Sequence, residues 1–234
     1  MKPTDRIFVA IDTPDLDWAV SLAGTLKGLV GGFKVGKEFF TANGPTGVDR
    51  IVALGMPVFL DLKFHDIPNT VAGAVRSALG MMPNIVNVHA AGGKAMMEAA
   101  RDAAAGAGES RPMVIAVTVL TSLDRSDLDA TGIHDDVVEQ VTRLAVLAKE
   151  SGLDGVVCSA QEIMRLRGAC GSDFKIITPG IRPAWSSRGD QKRVVTPAEA
   201  ICLGADYLVI GRPITGADDP AEAASRIAEE LNDA

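Results

Sequence analysis

Two hydrophobic rhythms alternate along the chain. Short runs rich in Val and Ile are apolar at nearly every position, and between them lie longer Ala- and Leu-rich stretches in which apolar residues recur at helical spacing. Continuous apolar runs of this length suit strands buried on both faces, whereas the longer stretches suit helices with one face on a core. Eight strands are predicted: RIFVAID (6–12), GFKVG (32–36), PVFLDLK (57–63), IVNVHA (85–90), MVIAVTVL (113–120), GVVCSA (155–160), KIITPGI (175–181) and YLVIGR (207–212). A helical pattern follows each of them. Pro68-Asn69-Thr70, Thr196-Pro197 and Asp219-Pro220 carry helix start signals, and Gly80, Gly152 and Gly204 mark helix ends.

Strict alternation implies parallel strands joined by right-handed crossovers. Eight such units in 234 residues predict a closed α/β barrel of the (β/α)8 TIM type, a single domain over residues 1–234. An open doubly wound sheet is the alternative for the same rhythm. No composition break, linker or low-complexity tract divides the chain.

In a barrel of this kind the C-terminal strand ends carry the chemistry, so polar residues at those ends become candidates. They are Asp12, Lys34, Asp61 with Lys63, His89, Thr121 with Ser122, Arg182, and Gly211 with Arg212. The stretch FLDLKFHDIPNT (59–70) is the least ordinary of them. If the strand stays extended through Lys63, its period of two puts Asp61 and Lys63 on one face, with Asp66 just beyond in the loop. Burial of either charge alone is costly, so mutual pairing is expected; a purely structural ion pair is the plainer alternative. After strands seven and eight, TPGIRP and VIGRP offer Gly180, Arg182, Gly211 and Arg212 as a phosphate site. The polar stretch PAWSSRGDQKRVV (183–195), with Gly189 as a flexible point, is read as a lid or as an ordinary long surface loop.

Composition narrows the partners. A net charge of -7 lacks the surplus of Lys and Arg that nucleic-acid binding needs, while a small anionic substrate requires only a few local cations. Cys158, Cys170 and Cys202 show neither disulfide nor zinc-ligand spacing, and His65, His89 and His134 show no metal spacing, so no metal site is expected. No apolar run of about 18 residues occurs, which predicts no membrane span, and a reducing cytoplasm is the simplest setting. GPTG and AAGGKA fall short of the patterns for triphosphate or dinucleotide binding. Met96 and Met97 read as core filler.

A lysine flanked by carboxylates has two main uses. As a neutral amine it forms a Schiff base; as an ammonium it stabilises developing negative charge and delivers a proton. Neighbouring carboxylates favour the second.

FLDLKFHDIPNT resembles the D-x-K-x-x-D-I-P-x-T signature of the orotidine 5'-phosphate decarboxylase family. VAID, FKVGKEFF, VNVHA, AVTVLTS, DGVVCSA, TPGIRP, GDQ and VIGRPIT extend the likeness over nearly the whole chain, with no departure at a motif position. The resemblance implies a barrel enzyme that converts orotidine 5'-phosphate to UMP without metal or organic cofactor. It implies that Asp12 binds the ribose hydroxyls and that Lys34 joins the charged array beside the ribose. Asp61 and Lys63 then flank C6, with Lys63 the proton donor. Thr121 and Ser122 address the base, Gln191, Gly211 and Arg212 grip the phosphate, and Arg182 lies beside it. It further implies a homodimer in which Asp66, Ile67 and Thr70 enter the neighbouring subunit's site. Three rivals compete: a metal-dependent sugar-phosphate decarboxylase sharing the strand-three motif, a Schiff-base aldolase, and a non-catalytic nucleotide-binding barrel. The first places an acidic residue where Lys34 stands.

Overall fold

The computed structural model describes residues 1–186 and 195–232. All eight apolar runs are parallel strands: β1 (Ile7–Ile11), β2 (Gly32–Gly36), β3 (Val58–Phe64), β4 (Ile85–His89), β5 (Met113–Val117), β6 (Gly155–Val157), β7 (Lys175–Pro179) and β8 (Tyr207–Ile210). They pair in chain order and close through β1 against β8, so the sheet is a barrel and the open-sheet alternative is set aside. Around it, among the described residues, lie α1 (Leu16–Leu26), α2 (Lys37–Val52), α3 (Pro68–Leu79), α4 (Lys94–Ala105), α5 (Arg125–Ala130), α6 (Val137–Glu150), α7 (Ile163–Cys170), α8 (Pro197–Leu203), α9 (Arg212–Thr215) and α10 (Pro220–Asn232). None of these is long and apolar enough to cross a membrane.

The helix starts follow local chemistry. Thr196 and Glu199 form a reciprocal capping box at α8, and the Asp219 carboxylate accepts from the Ala221 and Glu222 amides at α10. Several strands stop short of their predicted ends: β5 ends at Val117 rather than residue 120, β6 at Val157 rather than 160, and β8 at Ile210 rather than 212. After β6 and β8 the reason is that helix-starting geometry begins there, whereas β5 passes into a bend and turn. Ser159 caps a short 3-10 turn through a box with Glu162, and Arg212 opens α9. Thr121 and Ser122 therefore occupy a loop above the barrel, while Lys34, Asp61, Lys63 and His89 stay within their strands.

Two layers of apolar packing hold this frame. A large shell between strands and helices includes Phe33, Phe39, Ile51, Met96 and Met97, all buried. A smaller plug fills the barrel interior, built on Phe8, Phe59, Ile85, Ile115, Ile177 and Val209. Phe8 meets Phe59 and Tyr207 edge-on at centroid distances of 6.5 and 5.5 Å. The plug closes the floor beneath the inward residues of the upper strands.

Glycine makes room for this packing where neighbours are bulky. A Cβ at Gly155 in β6 would lie 2.2 Å from the Lys175 carbonyl oxygen of β7, so backbone would have to move. Gly168 in α7 has open space around it. Gly155→Ala is expected to destabilise the protein by about 2 kcal/mol or more. Gly168→Ala should be stabilising by about 0.5–1 kcal/mol, because it restricts the unfolded chain without strain. Urea unfolding midpoints at constant m-value distinguish the two.

Candidate active site

Parallel strands present alternate residues to the barrel interior, and above the apolar plug those positions turn polar. β2 supplies Lys34, β3 supplies Asp61, β4 supplies Asn87, and Asp12 stands just past the end of β1. Lys34 Nζ donates to Asp12 Oδ1 at 3.0 Å and lies 3.3 Å from Asp61 Oδ2. Lys63 Nζ donates to the other oxygen, Asp61 Oδ1, at 2.6 Å. Asp12, Lys34, Asp61 and Lys63 thus form a row of alternating sign whose formal charges cancel. A Cβ at Gly36 would stand 3.1 Å from Asp12 Oδ1 and 3.2 Å from Lys34 Nζ, so the bare glycine leaves space beside the first pair.

Asp61 and Lys63 meet as expected, but not by simple alternation. Lys63 has a φ of +54°, and the β3–β4 register passes from Leu60↔Val86 to Phe64↔Val88, so β3 carries extra residues opposite β4. The expectation of a uniformly extended strand is corrected: a bulge swings Lys63 back over Asp61.

Burial and charge compete at Asp61. Desolvation pushes its carboxyl up, but the Lys34 and Lys63 ammoniums, with hydrogen bonds from Lys63 and Asn87, outweigh it and hold it below the usual carboxylate range. Its ionised form is secure at neutral pH. Lys34 is almost buried at 9% side-chain exposure, whereas Lys63 retains 26%, which leaves Lys63 as the cation more open to a ligand.

A cavity of about 340 Å³ runs from Asp12 and Lys34 to Gly180, Arg182, Gly211 and Arg212. A second, of about 220 Å³, shares Arg182 and Arg212 and is lined further by Trp185 and Ser186. Arg182 is buried, its guanidinium donates to the Ile181 carbonyl at 3.0 Å, and its amide donates to the Val195 carbonyl at 3.1 Å. An Ile181–Val195 bridge pins the two ends of the long connection together. Trp185 is held from outside by the Arg226 guanidinium, 4.4 Å above its ring.

The other expected residues scatter more widely. Thr121 and Ser122 sit in the turn after β5 and line neither cavity. Asp66, Ile67 and Thr70 lie at the start of α3 on the exposed side, with Ile67 66% exposed. Asp66 Oδ1 accepts from the Ile67 amide at 2.6 Å. Gln191 and Gly189 lie outside the described residues, as does the middle of the stretch read as a lid.

Asn87 escaped the sequence reading. It is fully buried, donates to Asp61 Oδ1 at 2.6 Å and accepts from the Lys63 amide at 2.7 Å. The available signal was one amide inside the apolar run IVNVHA. Trp18 and Thr215, which line the larger cavity, carried no comparable signal.

Comparison with known proteins decides the family. The model of the "Orotidine 5'-phosphate decarboxylase / HUMPS family" matches residues 5–227. The chain belongs to that family. It is 57% identical over 230 residues to orotidine 5'-phosphate decarboxylase of Rhodospirillum rubrum, covering 96% of this chain and 93% of that one. To the enzyme of the same name from Paramagnetospirillum magneticum it is 56% identical over 229 residues, covering 96% and 97%. The solved orotidine 5'-phosphate decarboxylase of Lactobacillus acidophilus superposes with a TM-score of 0.84 at 37% identity, covering 97% and 98%. Both family membership and barrel geometry therefore cover the row of charges and the two arginines.

His89, beside the row, gives a pH test. Burial first, then the charges of His65, Lys37 and Lys63, push its pKa down from 6.5 to about 4. The native ring stays neutral while the unfolded chain takes up a proton below 6.5, so stability from this group falls between about 6.5 and about 4 and then levels. His89→Asn should therefore lose less stability than the parent when the pH drops from 7 to about 4.5, as read by thermal or urea unfolding.

Proposed function

We propose that this chain decarboxylates orotidine 5'-phosphate to UMP in pyrimidine biosynthesis, and that the Lys63 ammonium stabilises and then protonates the C6 carbanion without help from a metal or organic cofactor. The observation that carries the reading is the Lys63 ammonium held 2.6 Å from an ionised, buried Asp61 at one end of a neutral row of charges. Loss of CO2 breaks the C6–carboxyl bond and leaves its electron pair on a vinyl-type carbon with no adjacent carbonyl to receive it. A preorganised cation meets that demand with little reorganisation. Lys63 then transfers a proton to C6 and recovers one from solvent.

The two cavities support the phosphate and ribose part of the substrate placement; Asp61, Lys63, Thr121 and Ser122 line neither cavity, and the family likeness supports the rest. Arg182, Gly211 and Arg212, with Gln191, take the phosphate; Asp12 and Lys34 take the ribose; the base extends over Asp61 and Lys63 toward Thr121 and Ser122. Binding energy from the remote phosphate can then be used to hold C6 against Lys63. The exposure of Asp66, Ile67 and Thr70 supports a homodimer in which they complete the partner's site, since an apolar Ile67 at the barrel mouth gains by being covered. Cys158 and Cys170 are buried thiols, which suits a cytoplasmic setting.

A metal-dependent decarboxylase is the second reading. Against it, Lys34 and Lys63 already take both oxygens of Asp61 and one oxygen of Asp12, acceptors that a cation would need. The Schiff-base rival is disfavoured because Lys63 Nζ is already engaged by the Asp61 carboxylate at 2.6 Å.

Conversion of orotidine 5'-phosphate to UMP, followed by ultraviolet absorbance, should be insensitive to excess EDTA and fall by more than about 1,000-fold in Lys63→Ala. Chelator-dependent loss restored by magnesium, or a borohydride-trapped adduct on Lys63, would count against the mechanism. Mixing Lys63→Ala with Asp66→Ala subunits should recover activity through hybrid dimers that hold one intact site. Mixtures no better than either variant alone place Asp66 in its own subunit's site instead.

A further inference from the structure

We infer that Asn87 is a positioning residue for the decarboxylation: its side-chain amide locks the bulged Lys63 backbone and the Asp61 carboxylate into one unit and so aims the Lys63 ammonium. The inference rests on Lys63 being the proton donor proposed above.

The bulge in β3 creates the need. Between Leu60 and Phe64 the strand leaves its register with β4, and Lys63 adopts a left-handed φ of +54° that a non-glycine residue rarely takes. Such a conformation persists only where surrounding bonds over-determine it. Asn87 Oδ1 accepts from the Lys63 backbone amide at 2.7 Å, and Asn87 Nδ2 donates to Asp61 Oδ1 at 2.6 Å. That oxygen also receives the Lys63 ammonium at 2.6 Å. A closed ring results, running Lys63 amide, Asn87, Asp61, Lys63 ammonium.

A carboxamide fits both ends of that ring. The Lys63 end needs an acceptor and the Asp61 end a donor, and Asn87 offers one of each in a plane. With no exposed surface, it has no water to substitute for either partner. An aspartate keeps the acceptor but sets a second carboxylate against Asp61; leucine, of similar size, offers neither group. Asn87 does not touch the reacting atoms, so its effect falls on the geometry of the chemical step, while the phosphate contacts that dominate binding lie elsewhere.

Parent, Asn87→Leu and Asn87→Asp are compared by steady-state kinetics on orotidine 5'-phosphate across pH and by hydrogen exchange at the Lys63 amide. For Asn87→Leu we expect kcat to fall about 100-fold, as a misplacement near 1 Å does, with KM changed less than about threefold. Exchange at the Lys63 amide should quicken at least about tenfold. In Asn87→Asp the introduced carboxyl and Asp61 share a proton. While protonated it donates as the amide did, so activity should fall as pH rises through the pair's raised pKa, over a range where the parent is flat. A folded Asn87→Leu with kcat within about twofold of the parent, or an Asn87→Asp profile parallel to the parent's, overturns the inference. If Asn87→Leu does not fold, the Asn87→Asp profile decides. If the parent releases no CO2 from orotidine 5'-phosphate, the proposed function fails; Lys63 amide exchange then decides the role of Asn87, unchanged exchange in either variant refuting it.

Discussion

The Asp61 carboxylate is the point on which the upper barrel depends. It receives Lys34 on one oxygen and both Lys63 and Asn87 on the other, from three different strands. Each ammonium at about 3 Å is attracted by roughly 5 kcal/mol at an effective permittivity near 20. Desolvation of each ion costs several kcal/mol in return. The balance is close, so the row is better understood as a device for geometry than as a reserve of stability. Removing the carboxylate would leave two cations facing one another with nothing between them.

The fold keeps that device apart from the parts that stabilise it. Edge-on aromatic packing around Phe8 fills the barrel below, and a continuous apolar shell joins strands to helices outside. Rigidity comes from packing density, which leaves little room for motion in the floor. Among the described residues, the β3 bulge is the one register shift in the barrel wall, and it lies beside the Asp61–Lys63 pair. Conformational strain is thus placed at the site and held there by side-chain bonds.

Much of this was legible in the chain. Strands buried on both faces show themselves as unbroken apolar runs, and eight of them in alternation leave few topologies. Asp12, Lys34, Asp61 and Lys63 were legible because charges at the ends of such runs have to find partners. Strand ends were overextended, since the apolar runs continue past Val117 and Val157 while regular pairing stops there, although the Thr118 and Cys158 amides still donate to β6 and β7. Asn87 was missed because one amide within an apolar run resembles tolerated variation until its two partners are seen. The φ of Lys63 was unreadable for a different reason: no glycine marks it, and only tertiary bonds impose it. Spacing along one chain cannot specify whether Asp66 belongs to its own site or, as in the proposed homodimer, to a partner's.

The electrostatics of Asp61 also bear on how a substrate carboxylate would be received under the proposed reaction. A carboxyl with its pKa raised by burial could take a proton and let a second carboxylate approach without penalty. Here burial is overruled by two ammoniums and an amide, so Asp61 stays ionised through neutral pH. Repulsion between it and a departing carboxylate therefore has no escape by protonation, and is relieved as CO2 leaves and the negative charge moves to C6 beside Lys63. That repulsion and the stabilisation by Lys63 are distinct contributions to the same step. The geometry favours the latter, because Lys63 is the more open of the row's two cations and its ammonium is already oriented before the charge develops.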